Sequence, residues 1–292
     1  MINDAIEKAL QIIHSRYSEH LTVESISAEI FVSPFYFSRA FQRVTGIPPS
    51  RYLKALRHFE AKRLLMTTSL TVSDVVTSVG YASVGTFSSR FLRETGMTPT
   101  QLRDPEVQQL FAAVGPRFRV MPSFETTMAV RRSYPASSRP AGSVVSRISF
   151  PGELAPADII VGVFDSIVPQ CAPVACTVLR RSRAVEVLLG RVPIGRWSVV
   201  ALAAGADADS GEPQLIGVSK VFTVRPGRTT SAEVLMHTPQ LSDPPIATVF
   251  APPPSRLSAM IPTARAGGDL AEAYPRALRD GEGWAGRVMS SR

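Results

Sequence analysis

A chain of 292 residues, 45% of them hydrophobic, is long enough to bury two separate cores, and with only two cysteines it has no disulfide framework to replace a core. The formal charge is +8, but Arg outnumbers Lys 28 to 4 and the surplus is spread along the chain, so charge alone does not mark a nucleic-acid face. No stretch approaches a run of apolar residues long enough to span a bilayer. The start carries Asp4, Glu7 and Lys8 inside its apolar pattern and so lacks a leader-peptide core, which makes a cytoplasmic protein with no membrane partner the expectation.

In chain order, Ile6, Leu10, Ile13 and Tyr17 recur at three or four and predict a first amphipathic helix. Thr22 then opens a short helix with Val23, Ile26 and Ile30 inward, and Thr71 repeats the signal before Val72, Val75, Val76 and Val79. Ser33 and Ser83 are N-cap residues for a further helix each, with Pro34 suited to the first turn and Gly46 and Gly96 as C-terminal stops. At a constant offset of fifty, Ser33/Ser83, Phe37/Phe87, Ser38/Ser88, Phe41/Phe91, Arg43/Arg93, Thr45/Thr95, Gly46/Gly96 and Pro49/Pro99 are identical. The first hundred residues therefore read as two helix-turn-helix units. Between them, residues 50–66 have helical spacing and form a rod about 25 Å long, which suits two recognition helices set near one DNA turn, roughly 34 Å, apart.

Phe37/Phe41 and Phe87/Phe91 stand four apart and face the core. The opposite face of the first recognition helix holds Phe35, Ser38, Arg39 and Gln42, and that of the second Val84, Gly85, Thr86, Ser88 and Ser89. Arg and Gln pair bidentately with guanine and adenine edges, whereas Ser, Thr and small apolar groups contact several bases or a thymine methyl. The first helix is the stronger reader on this chemistry, and the second reads shape, methyl groups and phosphates. On the rod, Lys54 and Arg57 are either phosphate contacts or plain solvated charges, while Lys62 and Arg63 are read as solvated. His14, His20 and His58 are placed on helix surfaces or beside DNA.

The run Gly80-Tyr81-Ala82-Ser83-Val84-Gly85-Thr86-Phe87-Ser88-Ser89-Arg90-Phe91, followed by Gly96-Met97-Thr98-Pro99 and Arg103, resembles the signature of the AraC/XylS family of bacterial transcription regulators. The resemblance covers about residues 4–104. It implies base contacts from Phe35, Ser38 and Arg39 in the first unit and from Val84, Gly85, Thr86, Ser88 and Ser89 in the second. One departure stands out: family members commonly carry Arg where this chain has Ser89. Arg90 is rotated about 100 degrees away, so its replacing that Arg cannot be assumed.

Composition changes near Pro105, with five of the 24 prolines up to that residue and nineteen after it. Residues 106–125 read as a linker containing Gly115, Pro116 and Pro122. Short β-rich runs follow at 143–150, 158–164, 175–179, 184–189, 197–203, 217–224 and 230–236, and they predict an antiparallel sandwich over residues 126–250. The stretch 188–203 and the acidic loop 207–212 resemble transthyretin-like sandwiches. Residues 251–292, rich in Pro, Gly and Ala, read as a disordered tail. The fold class expected is thus multidomain, with an all-α double helix-turn-helix domain over 1–105 and an all-β antiparallel sandwich after it.

The β region carries no phosphate loop, nucleophile elbow or metal-pair motif, so no enzyme, cofactor or metal is expected. Cys171 and Cys176 form a redox pair only if Pro173 folds the intervening segment back. The function read from the chain is a sequence-specific DNA-binding transcription regulator whose partner is double-stranded DNA. The β domain serves ligand sensing, dimerisation or RNA polymerase contact. A small-molecule effector would sit between the sheets or at the junction near residues 111–124. Two other readings are a non-specific architectural DNA binder and a DNA-repair alkyltransferase, the latter needing an activated cysteine beside a base.

Overall fold

The computed structural model describes residues 2–116, 118–122, 125–128, 141–151, 157–182, 186–205 and 215–250. The expected acidic loop at 207–212 and the expected tail at 251–292 lie outside them. The helical region runs α1 (Ile2–Arg16), α2 (Val23–Glu29), α3 (Pro34–Thr45), α4 (Pro49–Thr67), α5 (Val72–Ser78) and α6 (Val84–Thr95), then a 3-10 turn at Gln101–Arg103 and α7 (Pro105–Gln108).

The repeat is built by the same local chemistry twice. Thr22 and Thr71 accept the backbone N–H of Ser25 and Asp74, whose own side chains accept in return, closing a capping box on α2 and on α5. Ser33 and Ser83 accept from the N–H of Tyr36 and Thr86, starting α3 and α6. Gly46 and Gly96 end those helices at φ 79° and 78°, in the left-handed region. The hydroxyls of Thr45 and Thr95 donate to Phe41 O and Phe91 O and lie 2.9 Å from Ile47 O and Met97 O, so each sits between the helix end and the next segment. One difference lies in the turns. The left-handed turn residue is Phe31 (φ 58°) in the first unit and Gly80 (φ 79°) in the second, and Ala82 is an extra residue before Ser83.

α4 is shared between two cores. Tyr52, Leu53 and Leu56 join Ile6, Leu10, Ile13, Phe37 and Phe41 in the first unit. Phe59, Ala61 and Leu65 join Val75, Val76, Phe87 and Phe91 in the second.

Three sheets follow. β1 (Phe111–Val114) pairs with β2 (Arg119–Val120) and with β11 (Ile246–Val249). β3 (Ala141–Ser149) lies between β6 (Glu186–Pro193) and β10 (Thr229–Leu235). The largest sheet has the order β5 (Ala175–Ser182), β4 (Ala157–Phe164), β7 (Gly195–Gly205) and β8 (Leu215–Val218), with β9 (Phe222–Val224) also on β7. Strand alternation sorts their side chains into layers. Ile159, Val161, Val163, Val199 and Ala201 of the largest sheet pack on Val144, Ile148, Val187 and Val234 of the β3 sheet. Its opposite face, with Ile160, Phe164, Val200 and Leu202, packs on Ala112, Val114 and Ile246 of the β1 sheet. Phe111, Ala113, Ala247 and Val249, pointing the other way, enter the second helical core against Phe59 and Leu65. The large sheet is therefore buried on both faces.

The C-terminal region is rich in antiparallel strands, as expected, with one departure: β10 runs parallel to β3. The two strands are far apart in sequence, so no hairpin sets their direction, and an alternating pattern is blind to it. Residues 106–125, read from sequence as a linker, contain α7, β1 and β2, and they bury Val107, Leu110 and Phe111. The predicted run 217–224 divides into β8 and β9.

Candidate nucleic-acid interface

α3 and α6 each bury one aromatic face and leave the other in water. Phe37, Ala40 and Phe41 are buried on α3, and Phe87 and Phe91 on α6. On the outer face of α3, Phe35 is 72% exposed, Tyr36, Arg39 and Gln42 are also exposed, and Ser38 is half-buried. The Arg39 guanidinium lies 5.5 Å from the Phe35 ring centroid, one turn away, and has no ion pair among the described residues. Such stacking orders a long side chain while leaving its donors available. On α6, Val84, Gly85, Thr86 and Ser89 are exposed and Ser88 is half-buried. All nine expected base readers thus fall on two outward helix faces.

Arg90 is tied elsewhere. Its charge acts on Tyr81, whose hydroxyl burial pushes above its ordinary value and Arg90 pulls down.

Lys54 pairs with Glu94 of α6 and keeps a side chain 41% exposed. Arg57 donates from Nε to Tyr17 O and from Nη2 to Glu19 O, both at 2.7 Å, and lies 5.8 Å from the Tyr81 ring centroid. Burial pulls its guanidinium below the ordinary value. Arg57 thus holds the end of α1 to the rod.

Two sequence readings on α4 are overturned. Lys62, read as solvated, is 2% exposed, and its ammonium donates to Ala247 O at 2.6 Å, Gln170 Oε1 at 3.0 Å and Gln170 O at 3.1 Å. Burial pulls it down to about 7. His58, read as surface or DNA-adjacent, is buried among Tyr81, Phe87 and Phe91, with Nδ1 3.3 Å from Glu94 Oε2. Burial first, then Lys62 and Lys54, holds it down to about 3. A surface reading assumes a polar face, and α4 is enclosed by both units and a sheet, so polar residues on it are forced inside. Arg63, also read as solvated, pairs with the buried Glu60 at 2.7 Å. His14 is hydrogen-bonded to the Tyr52 hydroxyl at 2.8 Å, while His20 is exposed.

Both cysteines are free thiols. Cys171 lies in the loop after β4 with Sγ 3.8 Å from Asp165 Oδ1; burial, then that carboxylate, pushes it up to about 11. Cys176 sits on β5 opposite Gly162. Among the described residues no group of three His, Cys, Asp or Glu side chains is placed to hold a metal, and no helix is long and apolar enough to cross a membrane.

The sequence reading passed over Arg43 and Arg93, which stand fifty apart in the last turns of α3 and α6 and are exposed in both. Their identity across the repeat was the available signal.

A family model described as a helix-turn-helix domain matches residues 26–104. The lactose operon transcription activator of Staphylococcus xylosus is 28% identical over 103 residues, 35% of this chain and 37% of that protein. The bifunctional transcriptional activator/DNA repair enzyme AdaA of Bacillus subtilis is 30% identical over 98 residues, 34% of this chain and 46% of that protein. A crystal structure of a transcriptional regulator from Chromobacterium violaceum, described as containing an AraC-type DNA-binding domain, is 27% identical, with a TM-score of 0.33, over 35% of this chain and 90% of that one. Residues 26–104 form a helix-turn-helix domain. The chain matches less than half the length of these two curated relatives. Both cysteines, and the whole β region, lie outside the matched helix-turn-helix domain.

Proposed function

We propose that this chain is a sequence-specific DNA-binding transcription regulator that sets α3 and α6 into successive major grooves of one duplex. The observation supporting this reading is the matched pair of recognition helices carried on a single rod, each with its polar face to solvent, inside a helix-turn-helix domain. Readout is uneven in this scheme. Arg39 and Gln42 of α3 carry bidentate donors and acceptors, whereas α6 offers only Ser88, Ser89, Thr86, Gly85 and Val84. Lys54, Arg43 and Arg93 supply phosphate contacts that fix register, and Arg57 serves mainly to hold α1.

The chemistry is binding rather than bond-making. An alkyl-accepting cysteine needs a thiolate, and Cys171 sits in surroundings that disfavour one. The β region acts as the sensing part, with RNA polymerase its further partner, and the protein works in the cytoplasm.

Selection of duplexes from a random pool with the full chain, followed by footprinting, tests the reading. The expected outcome is a site with one sharply and one loosely defined half, protected over two successive major grooves. At fixed salt it should be bound about a thousandfold tighter than a scrambled duplex. Equal affinity for scrambled duplexes would leave only an architectural binder, and protection of a single groove would remove the two-helix mode.

A further inference from the structure

Between the β1–β2 hairpin and the loop 239–243 lies a cleft of about 170 Å³ lined by Val114, Pro116, Arg119, Gln240, Leu241 and Asp243. The cleft is open to solvent on one side and has room for a molecule of a few heavy atoms.

Each wall of the cleft stands on the rod that carries the recognition helices. The hairpin, closed by Gly115 N–H donating to Phe118 O at 3.1 Å, is seated on Phe59: the Phe118 and Phe59 rings are 6.3 Å apart, and a Cβ on Gly115 would come within 2.5 Å of the Phe59 ring. The opposite loop is seated on Tyr52, whose hydroxyl donates to Leu241 O at 2.7 Å and lies 3.2 Å from Asp243 O. Tyr52 packs edge-on against Phe41 in the core of the first unit, while Phe59 belongs to the core of the second. Whatever changes the spacing of the two walls therefore pushes on α4 at two points, one under each reading unit.

The charges in the cleft are unequal in availability. Asp243 turns on its own loop, with Oδ2 accepting the Gln240 N–H at 2.7 Å and Oδ1 3.7 Å from His237 Nε2. Arg119 has no acidic partner among the described residues. Around it are the apolar surfaces of Val114, Pro116 and Leu241.

We infer that this cleft is an effector site for a small carboxylate with a short apolar body. The carboxylate is held by the Arg119 guanidinium and the body lies between hairpin and loop. The inference deepens the regulator reading, because the ligand's effect on DNA passes through Tyr52 and Phe59.

Calorimetry on the full chain without DNA tests the site directly, using isovalerate, its neutral analogue isovaleramide and the cation isopentylamine. Isovalerate is expected to bind, the amide to bind at least about tenfold more weakly, and the amine not at all. Arg119→Met is expected to weaken isovalerate by a similar factor while leaving the unliganded melting temperature in place. Equal binding of acid and amide, tighter binding of the amine, an unchanged affinity in Arg119→Met, or no binding of any of the three would each overturn the inference. On a selected duplex, isovalerate is expected to shift affinity about fivefold or more. Tyr52→Phe, which cuts the tie to the loop, is expected to lose that shift while still binding isovalerate. If isovalerate binds but no duplex is selected, the regulator reading fails and the site stands.

Discussion

Arg39 concentrates the specificity argument in one side chain, held over Phe35 and facing solvent. Arg39→Ala is expected to cost about 1–3 kcal/mol on the selected duplex and to relax one base position. Competition binding across a single-base library measures it, and uniform weakening across all positions would assign Arg39 to phosphate instead. The turn residues make a second case, because the same left-handed backbone is filled by Phe31 in one unit and by Gly80 in the other. Phe31 is 89% exposed and packs little, so Phe31→Gly should stabilise the chain by about 0.5–1 kcal/mol in urea unfolding. Gly80→Ala should destabilise by about 2 kcal/mol or more, since its Cβ would fall 2.4 Å from Ser18 O at a φ that alanine resists. At this scale the sequence was a good guide: caps at Ser33 and Ser83 and stops at Gly46 and Gly96 are local signals with local causes. The positive φ of Phe31 was not legible, because a phenylalanine carries no preference for it.

Among the elements, α4 departs most from its sequence reading. Its periodicity announced a helix and its length was close, yet Lys62 and His58 were placed outside because an isolated helix is expected to keep a polar face. Enclosure by two units and the β1 sheet covers the part of α4 that holds His58 and Lys62, leaving Arg51 exposed and Lys54 partly so, and the Lys62 ammonium meets three carbonyl oxygens in exchange for water. The sign of its pH effect follows from the lowered pKa. Between about 7 and the ordinary lysine value of 10.5 the unfolded chain holds the Lys62 proton and the folded chain does not, so folding stability rises with pH across that window and the penalty is complete below it. The rise is at most about 1.4 kcal/mol per pH unit. Urea midpoints at several pH values for the wild type and Lys62→Met are expected to show that rise only in the wild type. Parallel profiles would mean that the three carbonyls keep the ammonium charged despite burial. Strands at 143–150, 158–164 and 230–236 were legible as β-rich runs between turn residues, but β1 and β11 were not. Each has only four residues, and each is buried on both sides because it lies between a sheet and a helix.

For the whole molecule, the helical and β regions share a core rather than a tether. Phe111, Ala113, Ala247 and Val249 complete the second unit, and Val168 reaches into the first. A fragment of residues 1–105 is therefore expected to be less stable than the same residues in the full chain by several kcal/mol, at about 1.5–3 kcal/mol for each large side chain uncovered. Hydrogen exchange at Phe59, Leu65 and Phe91 amides in fragment and full chain checks this, and equal protection would show that the units need no support. The sequence could not reveal that shared core, since a change in proline content near Pro105 marks where helices stop, not where contacts stop.

The pairing of β1 with β11 has a consequence for biosynthesis. The rod is complete at Thr67, but the strand that closes its seat ends at Val249. At roughly 5–20 residues per second, a ribosome leaves the nascent helices without that strand for about ten to thirty seconds. During that interval the Phe59 surface is exposed to chaperones and to neighbouring chains, so a message that stalls ahead of Ile246 yields a product prone to capture or precipitation rather than a smaller working protein.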